Sequence, residues 1–387
     1  MKQSKQEIRQ FLEPTQLGMS VAGAALLTRS VSGVQHAFKD FICFRLDLKN
    51  AFNEMSRRAV LDVLSNEPTL HHLSTFAAAI LSPEAVLESY GNEWGRTSEG
   101  LAQGDPPSGD LFCIGLQPDL IELDRACNQA GGQARAGHDD VFVQGPAEIV
   151  IPAVTRFAKA IWERCHLQLQ WDKSCIFTWT GILPVGTPEG VKIAGKIVDG
   201  TFEAGFDCYG VPIGTEKYIS SEIKEIAVMI VADAHKTVEV LSSNKQALWT
   251  ALRLSICQRF QYICQHVQPS ICEPVAAWLD EQLWKILEQT VGFEIPCGDI
   301  GTDGTLISIP VHGLNQRSFQ QWAVRLPVKL NGWGFRSLKD TCIPAYIGTL
   351  ETSIPRMNEI SPCMNRIWGG EDVWGLNLIE ALDGQQF

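Results

Sequence analysis

The stretch ARAGHDDVFVQGP, residues 134–146, constrains this chain more than any other: two adjacent carboxylates, Asp139 and Asp140, stand between short apolar runs. Gly and Asp favour tight turns, so the pattern predicts a β-hairpin with the acidic pair at its tip. A turn alone accounts for these residues. Two like charges side by side also suit a divalent cation, because a hard cation relieves the repulsion between close carboxylates. That second account requires a third acidic residue from elsewhere.

Asp47 is the candidate. It stands near the end of the β-prone run FICFRLDL and is followed by KNAFN. If this strand and the hairpin are neighbours in one sheet, three carboxylates converge at one edge. Helical patterns surround them. Ala24, Leu27, Val31 and Val34 recur at helical spacing, after turn residues at Pro14 and Gly18. SRRAVLDVLSNEP predicts a helix with Ser56 as N-cap and a stop before Pro68. GDLFCIGLQPDLIELDRACNQAGG predicts another, broken at Pro118, and IVIPAVTRFAKAIWERCHLQLQW a further one before the strand DKSCIFTW. The alternation predicts an α+β fold, a sheet covered by helices. Beyond a boundary near Gly214 long helical patterns dominate, including NKQALWTALRLSICQRFQYICQHV and CEPVAAWLDEQLWKILEQTVGF, which separates residues 1–214 from 215–387.

With 387 residues, 45% hydrophobic and 20% charged, the chain has core enough for two domains and lies far from disorder. Its twelve cysteines contain no C-x-x-C pair and no local Cys/His cluster with zinc spacing. Cys43, Cys113, Cys175 and Cys257 sit in apolar stretches, which predicts reduced core thiols. No apolar run reaches the length of a membrane span, and MKQSKQEIRQFLEP lacks the apolar centre of a signal peptide. The expected chain is soluble and intracellular, in cytoplasm or nucleus, without a membrane partner. A net charge of −12 counts against a nucleic-acid partner but allows a locally basic groove.

Taken in order, the segments resemble the reverse transcriptases of non-long-terminal-repeat retroelements. LDLKNAFN resembles the first catalytic motif, AQGDPPSGDLF the Gln-Gly motif before the long helix, and GHDDVFVQG the Asp-Asp hairpin. LQLQWDKSCIF resembles the Lys-bearing motif, CYGVPIG the primer-grip turn, and LPVKLNGWGFRSL the region past the thumb. The resemblance implies a right-hand polymerase-like palm, an antiparallel sheet with helices, followed by a helical thumb-like domain. It implies an RNA-directed DNA polymerase, with an RNA template, a DNA primer and deoxynucleoside triphosphates as partners. Mg²⁺, with Mn²⁺ as the alternative ion, would be held by Asp47 and Asp139 with Asp140 supporting, and Leu48 would add a backbone carbonyl. Lys173 would assist pyrophosphate departure. Phe52 would stand against the sugar, and Gln103 and Gly104 would line the template–nucleotide pocket. His138 and His166 have no implied role.

Two departures accompany the resemblance. Gly137 stands where the family has an aromatic residue beneath the primer terminus, which removes a packing surface. Basic fingers residues are expected before PTQLG, so an N-terminally truncated open reading frame is the expectation, with no endonuclease, RNase H or zinc-knuckle segment. Lys173, Lys217, Lys224, Arg253, Lys329 and Arg336 are candidates for a phosphate-binding track. The competing expectation is a non-catalytic nucleic-acid-binding or protein-interaction remnant. A two-metal nuclease or phosphatase ranks last, because it leaves AQGDPP and CYGVPIG without a role.

Overall fold

The computed structural model of the chain describes residues 2–82, 84–291, 299–300, 306–307, 324–327, 329 and 334–360. It divides into two units. One takes Met1–Thr215 with Thr352–Asn377, and the other Glu216–Glu351 with Leu378–Phe387. The division falls one residue past Gly214, and the chain from Thr352 returns to the first unit.

The first unit is a mixed α+β body around a five-stranded sheet. Its elements run α1 (Lys2–Leu12), α2 (Gly23–Ala37), β1 (Ile42–Leu46), α3 (Ala51–Glu54), α4 (Arg57–Asn66), α5 (Ser74–Leu81), β2 (Ala85–Ser89), β3 (Asn92–Thr97) and α6 (Ser108–Asn128). They continue with β4 (Gln133–Gly137), β5 (Asp140–Gly145), α7 (Ala147–Cys165), β6 (Cys175–Phe177), β7 (Lys192–Ile193), β8 (Gly195–Val198), β9 (Thr201–Cys208) and β10 (Val211–Gly214). The sheet order is β4-β5-β1-β6-β7, and β1 pairs antiparallel with both β5 and β6. A central strand is covered on both faces, which is why the run around β1 is apolar with little alternation. Phe44, Leu46, Val141, Val143 and Ile176 join a core with the buried faces of α6 and α7. The opposite face carries Phe142 and Phe177, whose rings meet Phe206 of β9 at 6.2 and 5.3 Å. Each fully buried Phe contributes roughly 1.5–3 kcal/mol of apolar transfer, so this double burial fixes the register.

Ser56 caps α4 as the sequence predicts, its Oγ accepting from the Ala59 N–H at 3.3 Å. Pro118 departs from expectation: α6 runs through it unbroken for 21 residues. A helix-interior proline costs about 3 kcal/mol. Here Phe112, Leu116, Leu120 and Leu123, on both sides of it, are all buried, and their burial outweighs that cost. Within the fold a wholly buried Arg135 pairs with Asp124 at 2.7 Å and donates to the Ile360 carbonyl at 3.0 Å.

The second unit is helical. It contains α8 (Glu216–Leu241), α9 (Lys245–Ala251), α10 (Gln261–His266), α11 (Pro269–Val291), the short pair β11 (Asp299–Ile300) and β12 (Leu306–Ile307), and the start of α12 (Leu338–Ile360). The pattern read as one helix over 244–267 is interrupted by a π turn at Leu252–Ile256. Leu248, Leu252, Ile256 and Phe260 are all buried, spaced by four. A four-residue stripe drifts about 40° per step round an α-helix, and the wider π turn corrects that drift. In the late segment 326–338, residues 328 and 330–333 lie outside the described residues. Among the described residues no helix is long and apolar enough to cross a membrane.

Candidate functional site

Asp47 stands one residue past β1 and is anchored by the chain that leads into β6. Its N–H donates to Ser174 Oγ at 3.0 Å, and its carbonyl accepts from the Gln170 N–H at 2.8 Å. Leu48 forms an antiparallel bridge with Leu169. The turn that supplies these partners carries Lys173, which is exposed. The β1–β6 ladder ends at Arg45↔Cys175; beyond it Asp47 is level with Gln170, and Lys173 lies in the intervening turn.

On the other side of β1, Leu46 pairs with Val141. Asp47 follows and Asp140 precedes this last pair, so both stand at the same end of the β1–β5 ladder. Asp139 occupies the tip, in the two-residue turn His138–Asp139 between β4 and β5. His138 takes the left-handed conformation, φ 59°, which His tolerates better than bulky or branched residues.

That turn is held from a distance. The buried Gln16 accepts from the His138 N–H at 2.7 Å and donates to the His138 carbonyl at 3.0 Å. Alongside, Thr15 and Leu17 bond the main chain of Ala136 as a parallel bridge. A Cβ on Gly18 would lie 2.5 Å from His138 Nδ1, so the glycine makes room for the imidazole. His138, which the sequence left without a role, thus helps to seat the tip.

Charge at this edge is unevenly relieved. Arg45 Nη2 lies 3.7 Å from Asp140 Oδ1, with both side chains partly exposed. Burial nevertheless pushes the Asp140 carboxyl above its ordinary range; Arg45 opposes the shift, while Asp139 and Asp207 add to it. Asp110, at the start of α6, is raised by burial as well, against Lys5, His138 and Arg9. Among the described residues, the one group of three His, Cys, Asp or Glu ligand atoms all within 4.8 Å of one another is Cys264, Cys272 and Cys342. Asp47, Asp139 and Asp140 share an edge without forming so tight a trio.

The other expected residues lie further out. Phe52 stacks on Phe112, with ring centroids 4.7 Å apart, and is half-buried against the core. Gln103 and Gly104 are exposed on the turn before α6, and no hydrogen bond or ion pair among the described residues links them to the carboxylates. Gly104 has φ +88°, and a Cβ there would meet nothing within 4 Å.

Gly137 leaves no gap. Tyr209, from the two-residue turn between β9 and β10, donates to the Gly137 carbonyl at 2.5 Å. A Cβ on Gly137 would lie 2.1 Å from Tyr209 Oη and 2.6 Å from Cζ. The packing surface that the glycine removes is thus replaced by a ring from another strand pair. Tyr209 pays with a left-handed φ of 55°, beside Gly210 at 77°, the signs of a type I′ turn. Its hydroxyl is pushed up by burial, then by Asp140 and Asp139.

Sequence reasoning missed Gln16, Arg45, Asp207 and Tyr209. Arg45 carried a signal, since strand alternation sets residues 45 and 47 on one face. The other three reach the edge only through tertiary contacts.

Scanned against protein-family models, the chain matches none. It is 25% identical over 252 residues to the Retrotransposable element SLACS 132 kDa protein of Trypanosoma brucei gambiense, a match covering 64% of this chain and 20% of that protein. The chain therefore corresponds to about a fifth of that relative's length. A telomerase from Candida albicans, solved in complex with the TWJ fragment of telomeric RNA, aligns at a TM-score of 0.46 and 10% identity, over 99% of this chain and 56% of that one. Over 64% of its length the chain is thus similar to part of a retrotransposable-element protein.

Proposed function

We propose that the first unit is a reverse-transcriptase palm that supports RNA-directed DNA synthesis by two-metal nucleotidyl transfer, with the second unit as its helical thumb. The sheet register carries this reading. β1, which leads into Asp47, pairs with β5, which begins at Asp140, and Asp139 stands on the adjoining turn.

The donor set suits Mg²⁺ or Mn²⁺. Carboxylate oxygens are hard donors, and Asp140 bears unfavourable charge that a divalent cation relieves. Asp47 and Asp139 are assigned as ligands, Asp140 as support, and the Leu48 carbonyl as a further donor. Two ions about 4 Å apart do not require all three carboxylates in one tight group. Such ions, when bound, activate a primer 3′-hydroxyl and neutralise the departing pyrophosphate. The chain's own groups do the rest. Lys173 supplies a proton to the leaving group, Phe52 stands against the sugar, and Gln103 and Gly104 border the template and incoming nucleotide. Tyr209 gives the primer terminus the aromatic surface that Gly137 lacks.

The test is primer extension on an RNA template with Mg²⁺. Extension by the wild-type chain, lost in Asp139→Asn, supports the proposal. A second reading, a non-catalytic nucleic-acid-binding remnant, is favoured by Arg45, a cation of the protein's own beside Asp140. Binding of an RNA–DNA hybrid that weakens with salt, without any extension, would establish that reading instead.

A further inference from the structure

Three cysteines meet in the second unit. Cys264 comes from α10, Cys272 from α11 and Cys342 from α12, and all are at most 1% exposed. Their sulfurs stand 3.4 Å (264–342), 3.7 Å (272–342) and 3.9 Å (264–272) apart. A disulfide holds its sulfurs at about 2.05 Å, so these are separate thiols. Zn²⁺ binds thiolates at about 2.3 Å, and the edge of a tetrahedron built on that length is about 3.8 Å. The three separations bracket that edge.

The surroundings hold the trio in place. Asp280 on α11 accepts from Ser337 Oγ at 2.7 Å, from the Leu338 N–H at 3.0 Å and from the Lys339 N–H at 3.1 Å. It thereby caps the start of α12 and fixes the turn that carries Cys342 against α11. Among the described residues no fourth His, Cys, Asp or Glu joins the group.

We propose that Cys264, Cys272 and Cys342 bind one soft, thiophilic cation of the Zn²⁺ or Cu⁺ class, as a structural site that ties three helices of the second unit together. Three sulfur donors exclude Mg²⁺ and Ca²⁺, which take oxygen ligands. Three protein ligands suit trigonal Cu⁺, or Zn²⁺ with one exogenous ligand. Thiols lose their protons when such a cation enters, so binding strengthens as pH rises.

The experiment uses the full chain, purified under reducing conditions without chelator. Elemental mass spectrometry should find one equivalent of zinc or copper per chain. Stripped protein titrated with Co²⁺ should develop a thiolate charge-transfer band that saturates at one equivalent. Cys264→Ser and Cys342→Ser should each abolish the band, and Cys127→Ser, a buried cysteine of α6, should leave it intact. Chelator should lower the thermal midpoint of the wild-type chain, a readout that needs no variant to fold. Wild-type protein that retains no metal and gives no band would overturn the proposal, as would a Cys264–Cys342 disulfide or a band that survives in the triple serine variant.

Discussion

The carboxylate edge of the first unit and the thiol group of the second differ in nearly every physical respect. The carboxylate edge of the first unit uses hard oxygen donors at the ends of hydrogen-bonded strands, partly open to solvent. The thiol group of the second unit uses soft donors buried between helices. Strands place residues by register, so two acidic residues on paired strands are neighbours as soon as the pairing is known. Helices place residues by packing. Cys264 and Cys342 are 78 residues apart, and nothing local joins them. An edge at strand ends can stay open and unevenly charged, whereas a buried group must satisfy its donors in place.

The contrast breaks most decisively if the two regions prove to be one functional unit. Asp139→Asn should reduce primer extension by more than the roughly 10–100-fold that loss of an outer-shell partner costs. It should leave the Co²⁺ charge-transfer band unchanged. Cys342→Ser should do the reverse, removing the band while extension at low temperature persists. Loss of both properties in either variant would show that one site serves the whole chain.

A smaller effect separates packing from chemistry at the edge. Gly137→Ala drives a methyl into Tyr209 and should destabilise the chain by about 1–3 kcal/mol in denaturant unfolding. Adding Tyr209→Ala should recover part of that loss, because the two positions occupy the same space. Strictly additive effects would mean that the ring does not stand over the glycine.

The smallest expected effect is a pH dependence. The folded-state pKa of Asp140 is raised, chiefly by burial, so its contribution to stability is full below the ordinary carboxylate pKa. That contribution is lost as pH rises through the raised value. Asp140→Asn should flatten the stability profile across this acidic window and leave neutral-pH stability equal to or above wild type. A variant less stable than wild type at neutral pH would show that the Arg45 pair, not desolvation, dominates.

Much of the edge was legible in the sequence because its determinants are local. The run FICFRL must be a buried strand, GHDD must turn, and Ser56 must cap the helix that begins at Arg57. Pro118 misled, since proline's cost is local while the burial on either side of it is tertiary. The π turn at Leu252–Ile256 was hidden because a four-residue stripe reads as an ordinary helix until its drift is summed over several turns. Asp207 and Tyr209 were hidden because their hairpin belongs to a different sheet, order β10-β9-β8. The thiol group was invisible for the reason that separates the regions: spacing rules detect ligands on one loop, not ligands contributed by three helices.

A glutamine side chain carries an N–H donor group and an oxygen acceptor on a planar amide, the same two kinds of group that a peptide offers. Gln16 uses both on His138, so it acts as one extra rung of a ladder whose main-chain bonds end at Ala136. The consequence is a hydrogen-exchange signature: the amide proton of His138, though on a turn, should be protected like a strand amide. Glutamate at position 16 keeps the acceptor but loses the donor, and leucine loses both, so the glutamate variant should retain that protection and the leucine variant should not. The acidic tip would then owe its rigidity to a side chain 122 residues earlier in the chain.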